Sequence, residues 1–228
     1  MSKHIGIVAC SAEGAALCYR TICIEAEQVM GGHSHPEITM HTYPLSSYMR
    51  YIDASDWSGV ADLMLSSVRK LAGAGADFVI CPDNTIHEAL DIVIARSPLP
   101  WLHIAEEVAG EAKRRKFTCA GVLGTRYLME GPVYSDKLSA VGIKHMTPEP
   151  LEREEINRII FEELVRGRFT SESRDYLIRT ISRLKELGCD AVILGCTELH
   201  LAVPEEDSPL PTLDSTRILA RAALRKAA

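Results

Sequence analysis

The chain repeats part of itself, and that repeat limits its possible folds more than any other feature. Residues 78–88 (Phe-Val-Ile-Cys-Pro-Asp-Asn-Thr-Ile-His-Glu) and 191–201 (Ala-Val-Ile-Leu-Gly-Cys-Thr-Glu-Leu-His-Leu) align without a gap from Gly75 and Gly188. Asp77 then falls on Asp190, Val79 on Val192, Ile80 on Ile193 and His87 on His200. In the same register Asp83 meets Cys196, Asn84 meets Thr197 and Thr85 meets Glu198. Each copy is an apolar run rich in β-branched residues that stops in a small polar turn, the pattern of a buried strand running into a loop. Ligands of open α/β sheets bind just beyond the carboxyl ends of such strands. Two matching loops therefore point to one site approached from two sides.

The rest of the chain alternates strand and helix patterns around this pair. Residues 4–10 read as a strand that breaks at Cys10-Ser11-Ala12-Glu13-Gly14, and 15–30 as a helix. With Gly14 alone, that turn is far from a dinucleotide fingerprint. Residues 37–43 form a second strand and 58–74 a helix with Val60, Leu63, Met64, Val68 and Leu71 inward. After the first loop come a helix at 88–96, a short strand at 101–104 and a surface helix at 105–116. Gly121-Val-Leu then resembles Gly6-Ile-Val, so the second half restarts there. A helix interrupted by Pro132 spans 129–142 and a strand 143–146. Two strong amphipathic helices follow at 152–167 and 171–188, then the second core strand, a linker at 204–209 and a last helix at 215–226. This order predicts βαβ units and a mainly parallel sheet in each half. The expected division is 1–102 with 210–228 as one domain and 103–209 as the other.

Composition bounds the function. With 46% hydrophobic and 25% charged residues in 228, a packed core is affordable in a globular protein. A net charge of −6 and no Lys/Arg-rich run argue against nucleic acid as a partner. No apolar run nears the roughly 20 residues of a membrane span, so no membrane association is expected. The opening Met-Ser-Lys-His-Ile-Gly-Ile-Val reads as a strand, not a signal peptide. Seven scattered cysteines with no C-x-x-C pair indicate neither a disulfide framework nor zinc, and fit a reducing cytoplasm. His33 and His35 lie in a Gly/Ser/Pro segment with no third ligand nearby, so a solvated loop is expected and no metal.

Most of the thiols read as inert packing. Cys196 is different, because Gly195 before it and Thr197-Glu198 after it make a tight polar turn that a core would not choose. At this point the chain resembles the aspartate/glutamate racemase family, through Asn84-Thr85-x-His87 on one side and Gly195-Cys196-Thr197-Glu198 on the other. The resemblance runs over nearly the whole chain and includes the Gly124-Thr125 loop and Val165-Arg166-Gly167. It implies two pseudo-symmetric three-layer α/β domains with mainly parallel sheets, the active site in the interdomain cleft, and a homodimer. It also implies inversion of an amino-acid α-carbon with no cofactor, pyridoxal phosphate included, by two cysteines on opposite faces. The family's first cysteine directly precedes Asn-Thr; here that position is Asp83, and Cys81 lies two residues earlier.

That departure leaves alternatives. An α-proton is weakly acidic, so its base needs high proton affinity. Aspartate, with a reference pKa near 3.9 against about 8.5 for cysteine, gives up at most about 6 kcal/mol of it. The gap-free register selects Asp83 over Cys81, and Pro82 argues that the strand has ended there. Either Asp83 and Cys196 form an unequal two-base pair, or Cys196 acts alone through an enediolate, as in a single-thiol decarboxylase or isomerase. A non-catalytic binder of a small carboxylate is the third reading. By resemblance, Ser11, Asn84, Thr85, Thr125 and Thr197 would hold the carboxylate of a small amino-acid or dicarboxylate substrate. Glu198 would meet its ammonium or activate Cys196, and Arg166 would clamp a carboxylate. His87 is a possible auxiliary group, with a hydrogen-bonded structural role as the alternative; the latter is favoured for His200, and a surface role for Arg50.

Overall fold

A computed structural model describes residues 2–228, which divide into two compact units: 2–107 with 216–228, and 108–215. In the first unit the chain runs β1 (Ile5–Ala9), α1 (Ala12–Glu25), α2 (Glu27–Met30), β2 (Ile38–Thr42), α3 (Leu45–Ile52), α4 (Trp57–Gly73), β3 (Phe78–Ile80), a 3₁₀ turn (Thr85–Ala89), α5 (Leu90–Ile94) and the start of α6 (Ile104–Arg114). The second unit continues with β4 (Cys119–Leu123), α7 (Arg126–Glu130), α8 (Val133–Ala140), β5 (Lys144–Met146), α9 (Pro150–Arg158), α10 (Ser171–Glu186), β6 (Ala191–Leu194), α11 (Leu199–Ala202) and β7 (Thr212–Asp214). The last helix, α12 (Ser215–Ala227), returns the chain to the first unit.

Both sheets are wholly parallel, ordered β2-β1-β3 and β5-β4-β6-β7. The central strands β1 and β4 are buried along their entire length, as strands covered on both faces must be. In the first unit Ile5, Ile7 and Ala9 pack under α1, Ile104 and the Leu219–Ala227 side of α12. The opposite face takes α4, whose Val60, Met64, Val68 and Leu71 are fully buried. In the second unit Leu123, Val192 and Leu194 pack with Ile156, Ile159, Ile160, Leu164, Leu177, Ile181 and Leu184, the stripes expected of the two amphipathic helices.

The sequence repeat holds at the helix ends that precede β3 and β6. After α4, Gly75 N–H donates to Ala72 O and Ala76 N–H to Leu71 O, both at 3.0 Å. After α10, Gly188 N–H donates to Lys185 O and Cys189 N–H to Leu184 O, again at 3.0 Å. These paired closures need a left-handed residue, and Gly75 (φ 93°) and Gly188 (φ 102°) supply it. The aspartates that follow tie down the amino ends of the central strands. Asp77 accepts from His4 N–H at 2.7 Å. Asp190 accepts from the Thr118 hydroxyl and from the N–H groups of Thr118 and Cys119, at 2.7 to 3.0 Å. Burial alone would push the Asp190 carboxyl up, but these donors outweigh it and hold the group below its ordinary value.

Several elements differ from the sequence expectation. The strand expected at 101–104 is a single parallel bridge, Val79 to Trp101, before α6 begins. Between the strand expected at 37–43 and the helix expected at 58–74, the chain also forms α3 behind Pro44. The helix expected over 152–167 is α-helical to Arg158, then π-helical over Ile159–Glu163 and 3₁₀ over Leu164–Arg166, with Gly167 left-handed at its end (φ 71°). Beyond the linker, β7 pairs in parallel with β6, so 210–215 belongs to the second unit, whereas the expected division put it with the first domain. Among the described residues no helix is long and apolar enough to cross a membrane.

Asp190→Asn should cost about 1 kcal/mol at pH 7, a modest figure because the group is partly solvated. The folded-state value is depressed, so this stability is present above the unfolded carboxylate value and is lost as pH falls through the folded one. Urea midpoints of the two proteins should therefore differ at pH 7 and converge towards pH 3.

Candidate active site

In the first unit the chain leaves β3 at Ile80 and enters Cys81-Pro82-Asp83-Asn84. Pro82 has no N–H to continue a ladder, which releases the chain into the 3₁₀ turn from Thr85. From 78 to 87 every residue is buried except Asp83. Cys81 is fully buried, and burial first, then the Asp83 carboxylate, pushes its thiol well up. It is held as a neutral thiol with its sulfur 4.0 Å from the Asp83 carbonyl oxygen. Of the two candidate bases on this loop, the open position is Asp83.

His87 fixes the loop. Its Nδ1–H donates to Asp83 O at 2.7 Å, and its Nε2 accepts from Ile104 N–H at 3.3 Å. Two backbone partners select one neutral tautomer, so the ring works as a strut from the Asp83 loop to the start of α6. Its ring packs at 4.9 Å from that of His103, whose Nδ1 accepts from Ala105 N–H. Asn84 and Thr85 are buried beside Asp83. Ser11, at the end of β1, caps α1 by accepting from Gly14 N–H at 3.2 Å. Tyr48 on α3 is a neighbour that the sequence reading did not single out. Burial first, and then Cys81, Cys10 and Asp83, raise its phenol far above the ordinary value, so it stays neutral. Ser67 lies beside its hydroxyl without a well-formed hydrogen bond. The Leu45, Tyr48, Met49 and Ile52 spacing was the available signal for this helix.

In the second unit β6 ends at Leu194, and Gly195 N–H donates to Leu123 O at 2.7 Å. A Cβ at Gly195 would lie 2.4 Å from Leu128 Cδ2 and 2.9 Å from Leu123 O, so only glycine lets the two strand ends approach this closely. From 191 to 199 every residue is buried except Cys196. Its Sγ donates to Glu198 Oε2 at 3.1 Å, and the Thr197 hydroxyl donates to the same oxygen at 2.7 Å. Thr125, at the end of β4, is buried and caps α7 through Leu128 N–H at 3.2 Å. His200 follows on α11, half-buried.

The structure thus gathers Ser11, Cys81, Asp83, Asn84 and Thr85 at the carboxyl ends of β1 and β3. It gathers Thr125 and Cys196 to Glu198 at those of β4 and β6. Arg166 is exposed at the end of the 3₁₀ segment, and Arg50 lies exposed over the Tyr51 ring. Cys119 and Cys189 face each other at 3.7 Å in the core, where burial, then Cys119, pushes the Cys189 thiol up to about 12. His33 and His35 are exposed, and His35 Nδ1 donates to Pro36 O. Among the described residues no group of three or more His, Cys, Asp or Glu could hold a metal ion. A cavity of about 530 Å³ elsewhere in the second unit is lined by residues such as Glu155, Arg158 and Glu163, which pair among themselves. None of the predicted site residues lines it.

Gly195→Ala should cost about 1–3 kcal/mol through overpacking against Leu128 and displace the loop that carries Cys196. The check is a lowered urea midpoint together with an altered alkylation rate at Cys196.

The chain as a whole resembles known proteins. The curated broad-specificity amino-acid racemase RacX of Bacillus subtilis (strain 168) is 24% identical over 192 residues, which is 82% of this chain and 80% of that one. The crystal structure of a candidate Asp/Glu racemase from Yersinia pestis matches with TM-score 0.90 and 34% identity, covering 99% of both chains. That of an aspartate racemase homologue from Pyrococcus horikoshii OT3 matches with TM-score 0.83 and 29% identity, again over 99% of both. The Asp/Glu/Hydantoin racemase profile spans residues 7–223, so the chain belongs to that family and is an isomerase of the racemase kind.

Proposed function

We propose that this enzyme racemises or epimerises an amino acid without a cofactor, using Asp83 and Cys196 as unequal acid–base partners on opposite faces of one α-carbon. The observation that carries the reading is the matched exposure of the two repeats. Over 78–86 and the aligned 191–199 every residue is buried except one, and those two are the ones that the gap-free alignment superposes.

At neutral pH an aspartate is already ionised, whereas a thiol carries its proton. In the proposed reaction Asp83 takes the α-proton, and the C–H electron pair moves into the substrate carboxylate to give a planar enediolate. Cys196 S–H then delivers its proton to the other face. This leaves protonated Asp83 and a Cys196 thiolate, which exchange protons with water to reset. Asn84, Thr85 and Thr125, with the N–H groups at the strand ends, are assigned to the substrate carboxylate, where fixed donors stabilise the enediolate charge. Arg166 is assigned to a second carboxylate where the substrate has one. Thr197 serves this site through Glu198, since its hydroxyl is spent on that carboxylate. The reading extends to a homodimer working in the cytoplasm.

Cys196→Ala should show no turnover above background, and Asp83→Asn should lose at least about a hundredfold. Cys81→Ala should stay near the parent rate, because that thiol is buried and held neutral. The assay is a panel of L- and D-amino acids in deuterated water. Deuterium at the α-carbon with inversion is expected; exchange without inversion would assign a one-base site to Cys196, and full activity of Cys196→Ala would remove the mechanism.

A further inference from the structure

We propose that Glu198 is a positioning residue that holds Cys196 in its protonated form, so that the resting enzyme has its acid on the thiol face and its base on the Asp83 face. The proposal rests on the racemase reading above and adds a direction to it. Glu198 is almost completely buried, and two donors converge on its Oε2, the Cys196 sulfur at 3.1 Å and the Thr197 hydroxyl at 2.7 Å. An ionised carboxylate accepts both bonds with lone pairs to spare. The Thr197 bond prevents the carboxylate from turning away, so the thiol keeps its acceptor in place. Removing that proton would set a thiolate against a carboxylate in a poorly solvated turn, where like charges repel strongly.

Other charged and titratable groups of the second unit lie near this strand end. Tyr134 of α8 is fully buried and neutral, since burial pushes its phenol far up. Asp214 of β7, in register with Leu194, adds a second carboxylate. The Arg126 guanidinium at the start of α7 lies over the Tyr127 ring. His200 is a further titratable group, one turn along on α11. A thiolate-stabilising site looks different: it sets a cation or a helix amino terminus against the sulfur. Here the thiol donates to a carboxylate oxygen.

Catalysis then starts from one defined state. The enantiomer whose α-hydrogen faces Asp83 meets a ready base and a ready acid. Its mirror image must wait for a thiolate that Glu198 disfavours, so the two directions differ in kcat while their ratio of kcat/KM obeys the equilibrium constant.

The test reads protonation directly and without substrate. The rate of Cys196 alkylation by iodoacetamide, followed on the Cys196 peptide by mass spectrometry from pH 6 to 10.5, gives the thiolate midpoint. In the parent protein it should lie above the ordinary thiol value of about 8.5, and Glu198→Gln should lower it by about one pH unit or more. Glu198→Asp, which keeps the charge on a shorter arm, should restore part of the rise and serves if the Gln variant does not fold. An unchanged or higher midpoint in Glu198→Gln would overturn the proposal. The racemase reading fails separately, through an active Cys196→Ala enzyme, and that result would leave the alkylation midpoint standing as measured.

Discussion

A parallel strand paired on both edges and covered on both faces has only its two ends left to offer. β1 and β4 are such strands, and the two ends are put to different uses. At the amino ends, Asp77 and Asp190 bind backbone N–H groups that lie before the first ladder bonds. Unpaired buried donors are costly, so these carboxylates anchor the strands where nothing chemical happens. The carboxyl ends are thereby left as the places where the chain must turn in the open, and there the loops carry Asp83 and Cys196.

The two loops reach the same exposure by opposite local means. After β3, a proline forbids further pairing and tips the chain outward, and His87 then braces it with two backbone bonds. After β6, a glycine lets the chain run flush against the end of β4 before it turns. One scaffold thus presents two side chains of very different proton affinity in equivalent positions. A carboxylate is a weak base that is always ready, whereas a thiol next to a carboxylate is a good acid partner that seldom ionises. The difference between the two positions thus lies both in the side chain presented and in how each loop is held.

Much of this was legible beforehand. The repeat register, the parallel βαβ order and the inward faces of α4 and α10 follow from local patterning, and the structure keeps them. What was illegible depended on partners distant in sequence. The strand expected at Trp101 has too few bonds to extend, because only Val79 pairs with it. β7 is three residues long and exists because β6 offers a free edge. Asp83 and Cys81 share a loop and could be ranked only by register until burial separated them. The sequence left Glu198 to a substrate ammonium or to Cys196; that the Cys196 thiol donates to it is visible only in the structure.

The π-helical stretch at Ile159–Glu163 has a geometric consequence of its own. A turn of this kind holds one residue more than an α-turn, so everything after it is rotated by roughly 100° about the axis relative to an uninterrupted helix. Ile156, Ile159, Ile160 and Leu164 all stay buried under that phase slip, which means the core tolerates it. Arg166, two residues further on, does not choose its own heading: it points where the wide turn sends it. A family member with one residue fewer here would keep the same arginine in its alignment and aim it at a different quarter of the molecule.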